Sequence, residues 1–418
     1  MKATIVTIGN ELLAGRTVDA NFTFLARALG AAGVRVHRHV TVGDERGAIL
    51  ATVRGALRDS ELVLLSGGLG PTSDDVTRDV MAELAGRPLV LDPEVAARIA
   101  ARMTSLGRTL TAVGNRQALL PAGMAQLRNP IGLAPGLWHE VGGAVVCALP
   151  GVPRELMAMT SEVLVPRLRA FRSDLAPLPV VTLRTIGVPE SDIAERIETD
   201  GIDLYGVTLA YLPGPGGVDL RITGTEPHAA AAVERVAATI AGRLADAIYT
   251  RGEEPMEEVV GRLLAARGQK LALAESCTGG LVGYRITRVA GSSAYFAGGI
   301  VAYADEAKRD LLGVSPALLA AHGAVSAETA AAMAEGVRAR LGTDLGLAVT
   351  GIAGPGGGSV EKPVGLVFVA AAGPAPAAIV TRRHLLLGDR QQVRERAATH
   401  ALDLARRALL NLTDPIIA

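Results

Sequence analysis

Along the first third of the chain, apolar and polar positions change period repeatedly. Residues 3–9 (ATIVTIG) are a nearly continuous apolar run ending at Gly9, the pattern of a buried strand. Asn21 to Ala32 places Phe22, Leu25, Ala26 and Leu29 on one helical face and closes before Gly33. Residues 34–43 alternate as a strand, 48–59 return to a helical period, and 61–71 (ELVLLSGGLGP) run from a strand into a glycine turn. Strands and helices alternating with short connections predict a parallel sheet covered on both faces. Ligands of such sheets sit beyond the carboxyl ends of the strands, so function is expected in the loops after Ile8 and Leu65.

From about Asp174 the texture changes. Residues 176–187 read as a linker and then a strand, 191–198 as a short helix with Ser191 as N-cap, and 207–224 as a hairpin around Pro213 to Gly217. A helix from His228 to Ala245 completes a small α+β unit. Its Gly214-Pro215-Gly216-Gly217 matches the form of the GxxG loop of an RNA-binding KH module. It lacks flanking Lys or Arg and joins two strands, so a plain hairpin turn is the preferred reading. The last third opens with a helix from Glu254 to Arg267 and returns to α/β alternation. LALAES, AGGIVAYAD, DLGLAVTGIAG and PVGLVFVAAA are strand candidates, with helices at Ala327 to Leu341 and Arg390 to Leu410. The predicted fold is therefore two α/β domains with mainly parallel sheets, residues 1–170 and 253–418, separated by a small α+β, KH-like domain at 174–250.

Composition narrows the function classes. The 42 basic and 42 acidic residues balance, which gives no global case for nucleic acid or an anionic membrane. No apolar stretch is long enough for a membrane span, and the N-terminus lacks signal-peptide features. Cys147 and Cys277 cannot form a disulfide framework or a metal-ligand spacing, so a reducing cytoplasm is expected. Only four of the basic residues are lysines: Lys2, Lys270, Lys308 and Lys362. A lysine kept in so arginine-rich a chain is a candidate for work that requires losing a proton.

Two stretches carry chemistry. In SGGLGPTSDD (66–75), Gly67, Gly68 and Gly70 allow a tight turn whose backbone N–H groups can approach an anion. Thr72 or Ser73 can cap a following helix, and Asp74 and Asp75 suit a divalent ion bridging protein and phosphate, or simply the first turn of a helix. In LALAESCTGGL (271–281), Ser276, Cys277 and Thr278 follow a strand in a row. Ser276 needs a base. His322 is one candidate; Lys308 in an apolar surrounding, with Tyr303 five residues before it, is the better one. Cys277 lacks an activating neighbour, and Thr278 suits a helix cap or a substrate contact.

These motifs carry a resemblance. GNELLAG (9–15), SGGLGPTSDD and ALPGVPRE (148–155) resemble the N-terminal domain of the competence/damage-inducible CinA family, which is similar to molybdopterin-binding domains. AESCTGG, AGSSAYF, VAYADEAK, HGAVS and TGIAGPGGGS with KPVG resemble its C-terminal domain. The resemblance implies deamidation of nicotinamide mononucleotide to nicotinate mononucleotide and ammonia, with Ser276 as nucleophile and Tyr303 and Lys308 as the activating pair. Glu275, Thr278, Gly279, Ser292, Ser293, Gly354 and Gly356 are the implied substrate-binding positions, with no cofactor required. At the N-terminal end it implies metal-dependent hydrolysis of ADP-ribose to AMP and ribose 5-phosphate, with Asn10, Glu11, Gly68, Asp74 and Asp75 near metal and pyrophosphate. A pterin- or nucleotide-binding module without turnover is the alternative there, and single-stranded nucleic acid is an alternative partner of the middle domain. A homodimer is expected.

Overall fold

The computed structural model describes the chain except residues 106, 108–115, 200, 215, 374–378 and 413–418 and the side chain of residue 246. It comprises two compact units, Met1–Leu178 and Pro179–Ala418. No helix among the described residues is long and apolar enough to cross a membrane.

The first unit contains β1 (Lys2–Ile8), β2 (Arg35–Val42), β3 (Leu62–Ser66), β4 (Leu89–Leu91), β5 (Leu119–Pro121), β6 (Ala125–Leu127), β7 (Gly136–Val141) and β8 (Ala144–Leu149). Six of these form one sheet in the order β2-β1-β3-β8-β7-β6. Its first four strands run parallel, β7 pairs antiparallel with β8, and β6 pairs antiparallel with β7. Every residue of β3 is buried, as a strand covered on both faces requires. The period of two divides the apolar residues between two cores. Val6, Ile8, Val63 and Leu65 enter one, while Ala3, Ile5, Leu62 and Leu64 enter the other.

The second unit begins with four strands, β9 (Val180–Thr185), β10 (Val207–Pro213), β11 (Val218–Gly224) and β12 (Ile248–Arg251), all antiparallel in the order β10-β11-β9-β12. The helices Glu190–Glu198 and Ala230–Leu244 cover them. The predicted hairpin is present as β10 paired with β11; Pro215 of its turn lies outside the described residues.

Five further strands follow: β13 (Leu271–Glu275), β14 (Phe296–Val301), β15 (Leu345–Gly351), β16 (Leu366–Ala372) and β17 (Ile379–Leu385). They form a sheet in the order β14-β13-β15-β16-β17, the first three strands parallel and the last two antiparallel. Leu271 and Leu273 point into a core shared with Val260, Leu264, Ala398 and Leu402, while Ala272 and Ala274 point into a second core with Met333 and Ala334. The helix Arg390–Leu410 is fixed by a capping box, in which the Asp389 carboxylate accepts from Gln392 N–H and the Gln392 side chain accepts from Asp389 N–H.

Three local expectations change. The helix after the glycine turn begins at Thr77, so Thr72 and Ser73 do not cap it, and Asp74 and Asp75 precede it rather than forming its first turn. Asp75 closes a separate turn, accepting from the N–H groups of Gly70 and Thr72 and from the Thr72 hydroxyl (2.7, 2.8 and 2.5 Å). The helix expected to be capped by Ser191 starts one residue earlier, behind Pro189, and the Ser191 hydroxyl donates to Asp192 instead. β14 ends at Val301, so Tyr303 lies in the turn beyond it.

Helix Ala327–Leu341 approaches the neighbouring backbone through Gly336, where a Cβ would collide with the Leu312 carbonyl. Gly336→Ala would favour an isolated helix by roughly 1 kcal/mol. Here the sign reverses, and a loss of about 1–3 kcal/mol in urea unfolding is expected from the forced backbone shift.

Candidate functional site

In the second unit the chain passes from β13 to β14 on one side and then crosses to β15 on the other. Their parallel carboxyl ends therefore flank a switch point, where open α/β sheets leave a crevice. Glu275 is level with Val301 of β14 and Val349 of β15, so the loops beginning at Ser276, Ala302 and Ile352 leave from one edge. Ser276 N–H donates to the Val349 carbonyl, which continues the strand one residue past Glu275.

The turn after Ser276 is built by Glu275. Its carboxylate accepts from the N–H groups of Gly280 (3.0 Å), Val282 (3.1 Å) and Gly283 (2.8 Å), which satisfies the start of helix Leu281–Thr287 from behind. Gly279 and Gly280 make this possible with φ of 60° and 93°, left-handed conformations that penalise other residues. Ser276 is buried close to the surface, and no hydrogen bond joins it to Tyr303 or Lys308 among the described residues. The N–H groups of Cys277 and Thr278 take no acceptor on another described residue, so both are available to a developing oxyanion. Thr278 is fully buried, and its hydroxyl has no hydrogen-bond partner among the described residues. It makes no helix cap.

Lys308 is only 1% exposed, the opposite of a solvated surface charge. Its ammonium donates to the Tyr303 carbonyl at 3.1 Å and pairs with Asp305 at 3.4 Å. Tyr303 is 58% exposed and presents its ring at the edge. Its hydroxyl accepts from Arg390, whose other nitrogen donates to the Gly354 carbonyl (3.0 and 2.7 Å). One turn further along the same helix, Arg394 donates to the Thr278 carbonyl at 2.8 Å. Two guanidinium groups thus join the loops of Thr278, Tyr303 and Gly354. Sequence reasoning missed both arginines. The signal was their i, i+4 spacing immediately behind the Asp389 cap, which places them on one helix face.

Gly279 and Gly354 lie at this edge, and Gly356 is open to solvent in the same loop. Ser292 and Ser293 do not join them. They form a short turn leading into the amino end of β14, a strand's length of about 20 Å from Ser276. His322 ends helix Pro316–His322, pairs with Glu328, and is followed by Ser326, which caps helix Ala327–Leu341. Lys362 donates to the His322 and Val325 carbonyls and ties that segment to the Gly354 loop.

In the first unit, the loops after β1, β3 and β8 meet at the corresponding edge. Asn10 N–H donates to Asp44, and the Glu11 carboxylate folds back over Gly9. Gly68 is left-handed, at φ 70°. Arg78 is buried and donates to the carbonyls of Leu69 and Gly70, fixing the glycine turn from below. The Asn21 amide donates to Ser66 and to the Gly151 carbonyl, while its buried Oδ1 has no partner among the described residues. Asp74 is exposed. Among the described residues no three His, Cys, Asp or Glu side chains are placed to hold a metal ion, and both Asp75 oxygens brace their own turn. Among the described residues this donor set does not form a protein-only metal site.

The architecture is that of a tandem α/β protein whose second switch point gathers a serine, a buried lysine and two arginines. Family models match three stretches: "Probable molybdopterin binding domain" at 4–170, "Damage-inducible protein CinA KH domain" at 181–250 and "CinA C-terminal domain" at 253–409. A CinA-like protein of Gemmatimonas aurantiaca is 45% identical over 98% of this chain and 96% of its own length. A putative competence-damage inducible protein of Moorella thermoacetica is 43% identical over 98% and 99%. A solved competence/damage inducible protein from Agrobacterium tumefaciens is 39% identical and covers 37% of this chain and 96% of its own, with a TM-score of 0.35. The chain belongs to the CinA family.

Burial pushes the Cys277 thiol up to about 12. At pH 8 it stays protonated, so it is no rival to Ser276. Iodoacetamide is expected to alkylate the native protein at least about 100-fold more slowly than the urea-unfolded chain.

Proposed function

We propose that the C-terminal domain is an amidohydrolase that converts nicotinamide mononucleotide and water to nicotinate mononucleotide and ammonia. The observation that carries the reading is Arg390, which bonds the Tyr303 hydroxyl and the Gly354 carbonyl and so gathers an anion-accepting edge beside Ser276. Arg390 and Arg394 supply two cations for the substrate phosphate. The exposed Tyr303 ring offers its face to the cationic pyridinium.

In this reading Ser276 Oγ attacks the carboxamide carbon while its proton passes to Lys308 as the general base, directly or through Tyr303. The oxyanion is received by the N–H groups of Cys277 and Thr278. Collapse breaks the C–N bond, and ammonia leaves with the transferred proton. Water then attacks the acyl-serine, releases the carboxylate and returns the proton to Ser276. Lys308 enters hydrogen-bond reach of this path through a shift of the turn it anchors.

Ser276→Ala should lower ammonia release by at least about 1,000-fold. Lys308→Arg, which keeps the charge but cannot act as a neutral base, should be nearly as damaging. Arg390→Ala should raise KM by about 10–100-fold with a smaller effect on kcat. Wild-type ammonia release by Ser276→Ala would remove the assignment.

We further propose that the N-terminal domain binds ADP-ribose and hydrolyses it to AMP and ribose 5-phosphate. Two features support binding there: the glycine turn fixed by Arg78 and the unpartnered Asn21 Oδ1, which can accept a substrate hydroxyl. Asp75→Ala releases the turn and should weaken ADP-ribose binding at least about 10-fold by calorimetry. Product analysis decides between a hydrolase and a binding module: bound but intact ADP-ribose, with or without added divalent ions, leaves only the module.

A further inference from the structure

A cavity of about 350 Å³ opens between the antiparallel sheet of the second unit and the helices of its C-terminal domain. The β10–β11 hairpin closes one end. Gly216 packs on Thr399 of helix Arg390–Leu410, where a Cβ would come within 2.6 Å of the threonine methyl. Gly216 thus seats this hairpin against the last helix.

Two ion pairs line the walls. Arg285 donates to Glu257 (2.6 and 3.2 Å) and to the Thr399 hydroxyl (2.8 Å). Arg184 donates to both oxygens of Asp219 (3.1 and 3.0 Å) and lies over the Tyr249 ring at 5.5 Å. Burial pushes the Tyr249 hydroxyl up to about 12, while the arginines and carboxylates of the two pairs act on it in opposite senses. On these walls each guanidinium is thus matched by a carboxylate.

Other lining groups are available to a ligand. The Arg288 guanidinium lies over the Tyr284 ring at 5.9 Å and has no carboxylate or hydrogen-bond partner among the described residues. Tyr284 is 60% exposed, and the Tyr249 hydroxyl also has no hydrogen-bond partner among the described residues. Glu395 turns toward the cavity, with one oxygen accepting from Gln391. An unpaired guanidinium matches a phosphate, a carboxylate matches a ribose diol, and tyrosine rings match a planar base. The volume lies at the small end of ligand pockets.

We propose that this cavity is a second, non-catalytic site for a mononucleotide, with Arg288 on the phosphate, Glu395 on the ribose hydroxyls and Tyr284 and Tyr249 beside the base. Glu395 and Thr399 share their helix with Arg390 and Arg394, so an occupied cavity acts on the anion-accepting edge. That coupling rests on the deamidase reading; the binding does not.

The test uses the full chain carrying Tyr284→Trp, with AMP and nicotinate mononucleotide as probes. The new indole reports locally, since the native Trp138 is in the other unit. A saturable fluorescence change is expected with at least one probe, and adding Arg288→Glu should raise its midpoint at least 10-fold while Arg390→Ala leaves it within 3-fold. No saturable change with either probe, or one indifferent to Arg288→Glu, overturns the site. In wild type the bound probe should change KM for nicotinamide mononucleotide at least 3-fold, and Arg288→Glu should abolish that change. An unchanged KM overturns the coupling. Absence of ammonia release from every protein strikes the deamidase reading while leaving the fluorescence result standing.

Discussion

The Glu275 carboxylate, bonded to three backbone N–H groups, is the constraint on which the C-terminal site depends. A buried carboxylate is costly unless its oxygens are satisfied, and helix-start N–H groups are costly unless they find acceptors. Each need is met by the other. The strand therefore turns sharply enough to leave Ser276 at the sheet edge instead of inside a helix. A glutamate implied as a substrate contact thus has its carboxylate committed to backbone. The chemistry is left to the residues just after it.

Around that turn, other contacts act between loops more than within them. Lys308 holds the Tyr303 carbonyl, Lys362 holds the His322 and Val325 carbonyls, and Arg390 and Arg394 hold Gly354 and Thr278. Lys362, Arg390 and Arg394 fix loop shape through carbonyl oxygens without consuming carboxylates, while Lys308 also pairs with Asp305. The first unit follows the same logic, with Arg78 on the Leu69 and Gly70 carbonyls under its glycine turn.

Much of this was legible in the residues themselves. The buried apolar runs of β1, β3 and β13 and the helices Ala327–Leu341 and Arg390–Leu410 followed directly from hydrophobic period and caps. The mixed α/β class and the KH-like middle domain followed from the order of those elements. Helix starts were less legible where two side chains competed for a cap. Thr72 was drawn into the Asp75 turn, and Pro189 preceded Ser191. Arg390 and Arg394 were invisible for a different reason. They lie more than 80 residues from Tyr303 and Thr278, and only the packing of the last helix brings them there. Ser292 and Ser293 show the converse: proximity in a motif does not survive a parallel strand, which carries its two ends to opposite edges.

The scarcity of lysine has a practical side. Lys308 is buried, and the Lys362 amine is occupied by two carbonyls, so Lys2 and Lys270 are the exposed lysines, one in each compact unit. An amine-acylating reagent meets these two handles beside the chain's amino terminus. A protein with 38 arginines is thereby easy to tag at one lysine per unit without engineering a single residue.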